Sequence, residues 1–122
     1  MGINVLVVDD SAMSRKLTIR ALPEGWDATI HQASGGEEAL QAYREGKADL
    51  MMLDLTMPGM SGFDVLEVLR ADGLNCFVVV VSADVQPGAR ERALDLGAMA
   101  FVQKPVQADE LQGVLSQYGF LS

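Results

Sequence analysis

The stretch MMLDLTMPGMSG, residues 51–62, decides how this chain folds. Three apolar residues, Met51 to Leu53, run straight into an acid, Asp54, and then into a loop carrying Pro58 and two glycines. An apolar run without polar alternation is the pattern of a strand covered on both faces. Burying a lone carboxylate inside such a sheet is costly, so Asp54 is expected at the strand's end, on the rim. The N-terminus repeats the arrangement: INVLVVDDS, residues 3–11, is a β-branched run closed by Asp9 and Asp10.

Working outward from these two strands, the chain alternates strand and helix five times. The strands are expected at Ile3–Val8, Ala28–Ala33, Asp49–Leu53, Cys76–Val81 and Ala98–Val102. The helices are expected at Ala12–Leu22 with Ser11 as cap, within residues 34–46, within residues 61–73, at Gly88–Leu96, and at Ala108–Tyr118. Ser34 and Glu37 have capping-box spacing, and Ser61 with Asp64 caps the third helix. Pro23, Gly46 and Gly97 stop the first, second and fourth helices. Such alternation implies an α/β fold: a parallel sheet with helices on both faces. Right-handed crossovers leave few topologies, and the doubly wound five-strand order 2-1-3-4-5, flavodoxin-like, is the expected one.

Composition narrows the function. With 122 residues the chain is read as a single domain over 1–122, and 49% hydrophobic content argues against disorder. A net charge of −8 repels phosphate backbones and anionic lipid, so no nucleic acid and no membrane insertion are expected. No apolar run is long enough to span a bilayer, and the start MGIN leads directly into a strand, which suggests a cytoplasmic protein. The single cysteine, Cys76, is expected to be a buried small hydrophobe. His31 is expected on a strand near an edge, without a catalytic role, and Met51, Met52, Met57 and Met60 read as core and loop packing.

In doubly wound sheets the ligand crevice opens at the carboxyl ends of the strands, where the order reverses, here between strands one and three. Asp9, Asp10 and Asp54 all project into it. Two carboxylates 4 Å apart repel by roughly 4 kcal/mol at an effective dielectric near 20. A cation between them, or protonation of one, removes that cost. An all-oxygen donor set suits Mg²⁺, with Mn²⁺ as a substitute, and the lack of His or Cys partners disfavours zinc. Ser82 ends strand four and Lys104 follows strand five. A metal, a lysine and a hydroxyl around a carboxylate form a cradle for a phosphoryl group. Asp54 is the expected nucleophile, as the one acid facing the Lys104 and Ser82 side, while Asp9 and Asp10 are better placed to hold metal.

At these residues the chain resembles a response-regulator receiver domain of the single-domain chemotaxis CheY type. The matching motifs are VLVVDDS, LDLTMPGMSG, VVVVSA and FVQKPV, in order along essentially the whole chain. The resemblance implies that Asp54 accepts a phosphoryl group from a phosphohistidine on a sensor histidine kinase or phosphotransfer protein. It implies that Mg²⁺ is held by Asp10, Asp54 and the backbone carbonyl of Thr56, with Asp9 acting through a water. Lys104 would contact the phosphoryl oxygens, Ser82 would swing to donate to them, and Ala83 would leave them room. Phe101 would rotate into the space Ser82 vacates, and the Lys104–Pro105 bond would be cis. Phe101 stands where many members carry Tyr. Thr56 and Asp84 would tune the lifetime of the aspartyl phosphate. A downstream protein target would read the helix 4–strand 5–helix 5 face, which includes the ARER segment, residues 89–92. The protein would be no conventional enzyme but a switch that catalyses its own phosphoryl transfer and autodephosphorylation.

Three alternatives stand beside this reading. A receiver excised from a longer regulator would look similar, although a chain ending soon after its last helix leaves no room for a DNA-binding domain. A flavin or nucleotide carrier on the same architecture would need a phosphate-binding loop after strand one, where two acids stand instead. A phosphatase using an aspartyl phosphate would need a second acid just after the nucleophile, where Leu55 and Thr56 lie.

Overall fold

The computed structural model describes residues 2–84 and 86–121. The strands are β1 (Ile3–Val8), β2 (Ala28–Ala33), β3 (Leu50–Leu53), β4 (Phe77–Ser82) and β5 (Ala100–Gln103). The helices are α1 (Ala12–Arg20), α2 (Gly36–Arg44), α3 (Gly62–Ala71), α4 (Ala89–Asp95) and α5 (Ala108–Gln117). All strand pairs are parallel, in the order β2-β1-β3-β4-β5. This is the expected doubly wound sheet.

The strands' two-residue period sorts their side chains into two cores. Leu6, Val8, Met51, Leu53, Val78 and Val80 face α2, α3 and α4, where they meet Ala39, Leu40, Val65, Leu66, Leu69 and Ala93. Val5, Val7, Leu50, Met52, Val79 and Val81 face the other way, toward Leu111 and Leu115 of α5 and the end of α1. Central β3 is buried along its whole length. With apolar residues consumed on both faces, polar groups of the central strands are left to the rim, which is how the topology concentrates chemistry at one place.

Several boundaries differ from the sequence expectation. α1 stops at Arg20 because Ala21 and Leu22 turn inward into the core between sheet and α5. β3 begins at Leu50; Asp49 just before it still bonds the Asn4 carbonyl and the Phe77 amide through its backbone, and its carboxylate accepts from the Asn4 amide. β5 starts at Ala100 and runs on through Gln103, which pairs with Ser82, while Ala98 and Met99 form the approach from α4. The Ser34–Glu37 capping box does not form. Gly35 is the N-cap, extended and without a side-chain bond, and the amide and hydroxyl of Ser34 both donate to Glu38 Oε1, at 2.6 and 2.8 Å. The added glycine moves the returning acid one residue along. The caps at Ser11 and Ser61 form as expected, the latter as a full capping box with Asp64. Cys76 is buried, and His31 lies half-buried on edge strand β2 beside Asn4. Met51, Met52 and Met57 are buried.

α4 is seated differently from the other helices. Its buried side chains are Ala89 and Ala93, and it starts at Gly88 without a side-chain cap. Two arginines tie it to α3. The Arg92 guanidinium lies 4.1 Å from the Phe63 ring centroid and 3.9 Å from Glu67 Oε1, and Arg70 Nη1 donates to the Asp95 carbonyl at 2.5 Å.

Candidate functional site

The carboxyl ends of β1 and β3 bring Asp9, Asp10 and Asp54 together. Each can offer an oxygen to a shared point, with these atoms all within 4.8 Å of one another. Asp9 and Asp54 are buried, 4% and 5% exposed, whereas Asp10 faces solvent. The set is open on one side and lined by hard oxygen donors, which suits a divalent cation that keeps part of its water shell.

Backbone geometry fixes the two buried acids. The Asp54 amide donates to the Val8 carbonyl at 3.0 Å and the Asp9 amide to the Ala33 carbonyl at 3.1 Å, extending the ladder one step past each strand. Asp54 Oδ1 then accepts a long bond from the Thr56 amide, 3.4 Å, and Asp9 Oδ1 accepts from the Ser11 amide at 2.9 Å. The start of α3 closes over the same point. The Gly62 amide donates to the Leu55 carbonyl, and a Cβ on Gly62 would collide with the Asp54 carbonyl oxygen and lie 2.7 Å from Leu55 Cα. Only glycine lets the helix approach β3 this closely.

Lys104 reaches into the cluster from the end of β5, just before a cis Lys104–Pro105 bond. Its Nζ lies 2.6 Å from Asp9 Oδ2 and 3.7 Å from Asp54 Oδ1. The sequence expectation made Asp54 the one acid on the lysine side. The structure corrects this: both buried acids face Lys104, and Asp9 is the nearer. The inequality shows in their protonation. Burial raises the Asp9 pKa, but the Lys104 ammonium and bonds from Ser14 and Ser11 outweigh it and hold this carboxyl below its ordinary value. Burial raises Asp54 as well. There the more distant lysine only partly offsets it, and the neighbouring charges of Asp9 and Asp10 push further upward, so Asp54 ends above its ordinary value.

Ser82 is fully buried at the end of β4, where its Oγ accepts from the Asp84 amide at 3.0 Å and its carbonyl accepts from the Lys104 amide at 2.9 Å. Phe101 is half-buried on β5, opposite Val80. Thr56 and Ala83 are exposed. The Asp84 carboxylate accepts from the Gln86 amide. Sequence reasoning missed Arg15, whose Nη1 donates to the Asp9 carbonyl at 2.6 Å while its Nε donates to Gln32 on β2 at 2.9 Å. Its place four residues after the Ser11 cap, one helical turn back toward the strand end, was the available signal.

A carrier role for this crevice finds no support. The turn after β1 presents Asp9 and Asp10 to any incoming phosphate, where a helix N-terminus free of acids would be needed.

Comparison with known proteins gives a consistent result. Residues 5–116 match the family described as "Response regulator receiver domain". The chain is 32% identical over 117 residues to the chemotaxis protein CheY of Thermotoga maritima, covering 96% of this chain and 98% of that protein. It is 40% identical over 108 residues to the DNA-binding response regulator MtrA of Mycolicibacterium paratuberculosis, covering 88% of this chain but 47% of that longer protein. Among solved structures, the response regulator domain of Thermotoga maritima CheB superposes with a TM-score of 0.82 at 30% identity, over 96% of each chain.

Proposed function

Because the chain belongs to the response regulator receiver domain family of two-component signalling, we propose that Asp54 is its phosphoacceptor and that a divalent cation readies it. A carboxylate oxygen of Asp54 attacks the phosphorus of a phosphohistidine on a sensor kinase or phosphotransfer protein. The new bond is O–P; the N–P bond breaks, and its electron pair returns to the imidazole. Mg²⁺, or Mn²⁺ in its place, neutralises charge on the phosphoryl oxygens when bound. Asp10, Asp54 and the Thr56 carbonyl would hold it directly, and Asp9 through a water.

The observation that carries the reading is the convergence of three acids on one point with Lys104 Nζ at 2.6 and 3.7 Å from the two buried ones. Lys104, shared between Asp9 and Asp54 at 2.6 and 3.7 Å, would contact the phosphoryl oxygens beside Asp54, with bound Mg²⁺ supplying the positive charge that Asp9 then needs. Ser82 then turns its hydroxyl from the Asp84 amide to the same oxygens, and Phe101 moves into the space this leaves. Hydrolysis reverses the modification: water forms a new O–P bond, the Asp54 carboxylate leaves with the electron pair of the old one, and inorganic phosphate is released, with Thr56 and Asp84 setting how long the acyl phosphate lasts. The phosphodonor must approach from the open side at Asp10, where Met13 and Leu17 stand exposed one helical turn apart on α1. Among the described residues no helix is long and apolar enough to cross a membrane, and we place this exchange in the cytoplasm, with residues 1–122 acting as one receiver unit.

The test is intact-mass spectrometry after incubation with a small phosphodonor and Mg²⁺. The protein is expected to gain one phosphoryl group, and Asp54→Asn to gain none. A chain that gains none with any donor, or an Asp54→Asn variant that still gains one, overturns the assignment.

A further inference from the structure

Arg15 stands half-buried near the start of α1. Its guanidinium spans two strand ends. Nη1 donates to the Asp9 carbonyl at 2.6 Å, just past β1, and Nε donates to Gln32 Oε1 at 2.9 Å, on neighbouring β2. The Asp9 carbonyl lies where the β1 ladder has ended, and no backbone amide among the described residues donates to it. Bonds from Ser34, and after them the Arg15 charge, hold the Glu38 carboxyl below its ordinary value, so the same guanidinium is felt at the start of α2. Asp9 is therefore gripped from two sides, by Lys104 on its carboxylate and by Arg15 on its carbonyl. The phosphoryl chemistry uses only the first of these grips.

We infer that Arg15 is a positioning residue for the cation: it fixes the Asp9–Asp10 peptide, and through it both acids at the end of β1. The inference rests on the cation reading of the acid cluster. A peptide unit is planar, so a carbonyl held in one direction also fixes the Asp10 amide and the point from which the Asp10 side chain starts. A bond from a guanidinium is shorter and stronger than one between neutral groups, and the planar fork holds Nε and Nη1 at a fixed separation. Arg15 thereby sets the end of β1 against the end of β2. A lysine ammonium is a single point on a flexible stem and does not reproduce that fork. Charge alone argues for the opposite effect. A positive side chain beside the cluster repels a divalent cation, so removing its charge alone would tighten binding. Positioning and charge thus differ in the sign of their effect.

The test titrates the full chain with Mg²⁺ by calorimetry, well below its melting temperature. Arg15→Ala and Arg15→Lys are each expected to raise the Mg²⁺ dissociation constant about tenfold, the size of effect found when groups that orient metal ligands are removed. Arg20→Ala, which removes an exposed arginine at the other end of α1, is expected to leave it within about twofold, since solvent and salt screen a charge placed there. A second readout needs no metal. In chelator, amide exchange at Asp9, which donates to the Ala33 carbonyl, and at Ser11, which donates to Asp9 Oδ1, is expected to quicken several-fold in Arg15→Ala. Exchange at buried Leu66 and Leu69 of α3 is expected to match the parent. A dissociation constant that is unchanged or lower in either Arg15 variant overturns the inference. So does an equal loss of affinity in Arg20→Ala, or an equal quickening at Leu66 and Leu69, which would mark general loosening of the fold. A parent that binds no Mg²⁺ overturns it together with the cation reading. The same samples are assayed for phosphoryl gain. Affinity that falls as expected in a chain that never gains the group on Asp54 keeps the positioning role and loses the phosphoacceptor. Phosphoryl gain on Asp54 with unaltered affinity in both Arg15 variants keeps the phosphoacceptor and loses the positioning role.

Discussion

Asp9 and Asp54 compete for one ammonium, and Asp9 holds it more closely. Their displaced protonation gives them opposite effects on stability. The Asp9 carboxyl sits below its ordinary value, so its contribution is present above the normal carboxylate range and is lost as pH falls through the folded value. The Asp54 carboxyl sits above its ordinary 3.8, so the folded state loses stability as pH rises from there through the raised value. In chelator at pH 7, Asp54→Asn is therefore expected to be more stable than the parent. The gain should vanish near pH 3, where the parent's Asp54 is protonated as well. Urea melts at the two pH values check this, and a destabilised variant at pH 7 would contradict the assigned charge state. The positions of these acids were legible in the sequence, because an apolar run ending in a carboxylate has one physical solution. Which acid holds the lysine was not. Four rotatable bonds separate the Lys104 ammonium from its backbone, and spacing along the chain says nothing about where they point. Arg15 escaped for the same reason.

At the level of elements, the site depends on α3 starting hard against the end of β3. Gly62→Ala must push the helix off the Asp54 and Leu55 backbone, and is expected to cost about 1–3 kcal/mol and to weaken Mg²⁺ binding through displacement of Asp54. Thermal melts and a metal titration followed by calorimetry check both effects; unchanged metal affinity would show that the approach is not needed. The link between α3 and α4 gives a second expectation. Arg92→Ala removes the contact with Phe63 and the pair with Glu67, at a cost of about 0.5–1 kcal/mol for an exposed site. Amide exchange should accelerate in α4 and hardly at all in α3, whose capping box and buried Val65, Leu66 and Leu69 are untouched. The order and type of all ten elements could be read from the alternation of apolar runs and amphipathic segments. Their ends were less legible. Ala98 and Met99 look like strand by composition, yet they serve as the turn into β5, and the α2 cap shifted because Gly35 takes a fully extended conformation that no side-chain pattern signals.

For the whole molecule, the acid cluster is the place where metal and fold stability couple. A cation that binds the folded state alone stabilises it by about 2.7 kcal/mol at a hundredfold excess over its dissociation constant. Mg²⁺ is thus expected to raise the melting temperature of the parent by several degrees and that of Asp10→Asn much less, a comparison that differential scanning calorimetry makes directly. The topology was readable because a sheet buried on both faces allows few connections, whereas the surface chemistry, set by long side chains meeting across elements, was not. The seating of α4 carries one more consequence. Its inward surface is two methyl groups, those of Ala89 and Ala93, so it meets the sheet as a smooth bearing without interlocking knobs. Translation of such a helix opens no large void and pries apart no meshed side chains, and the friction that remains comes from two arginine arms long enough to follow it. The rest of the molecule can stay still while this one piece slides.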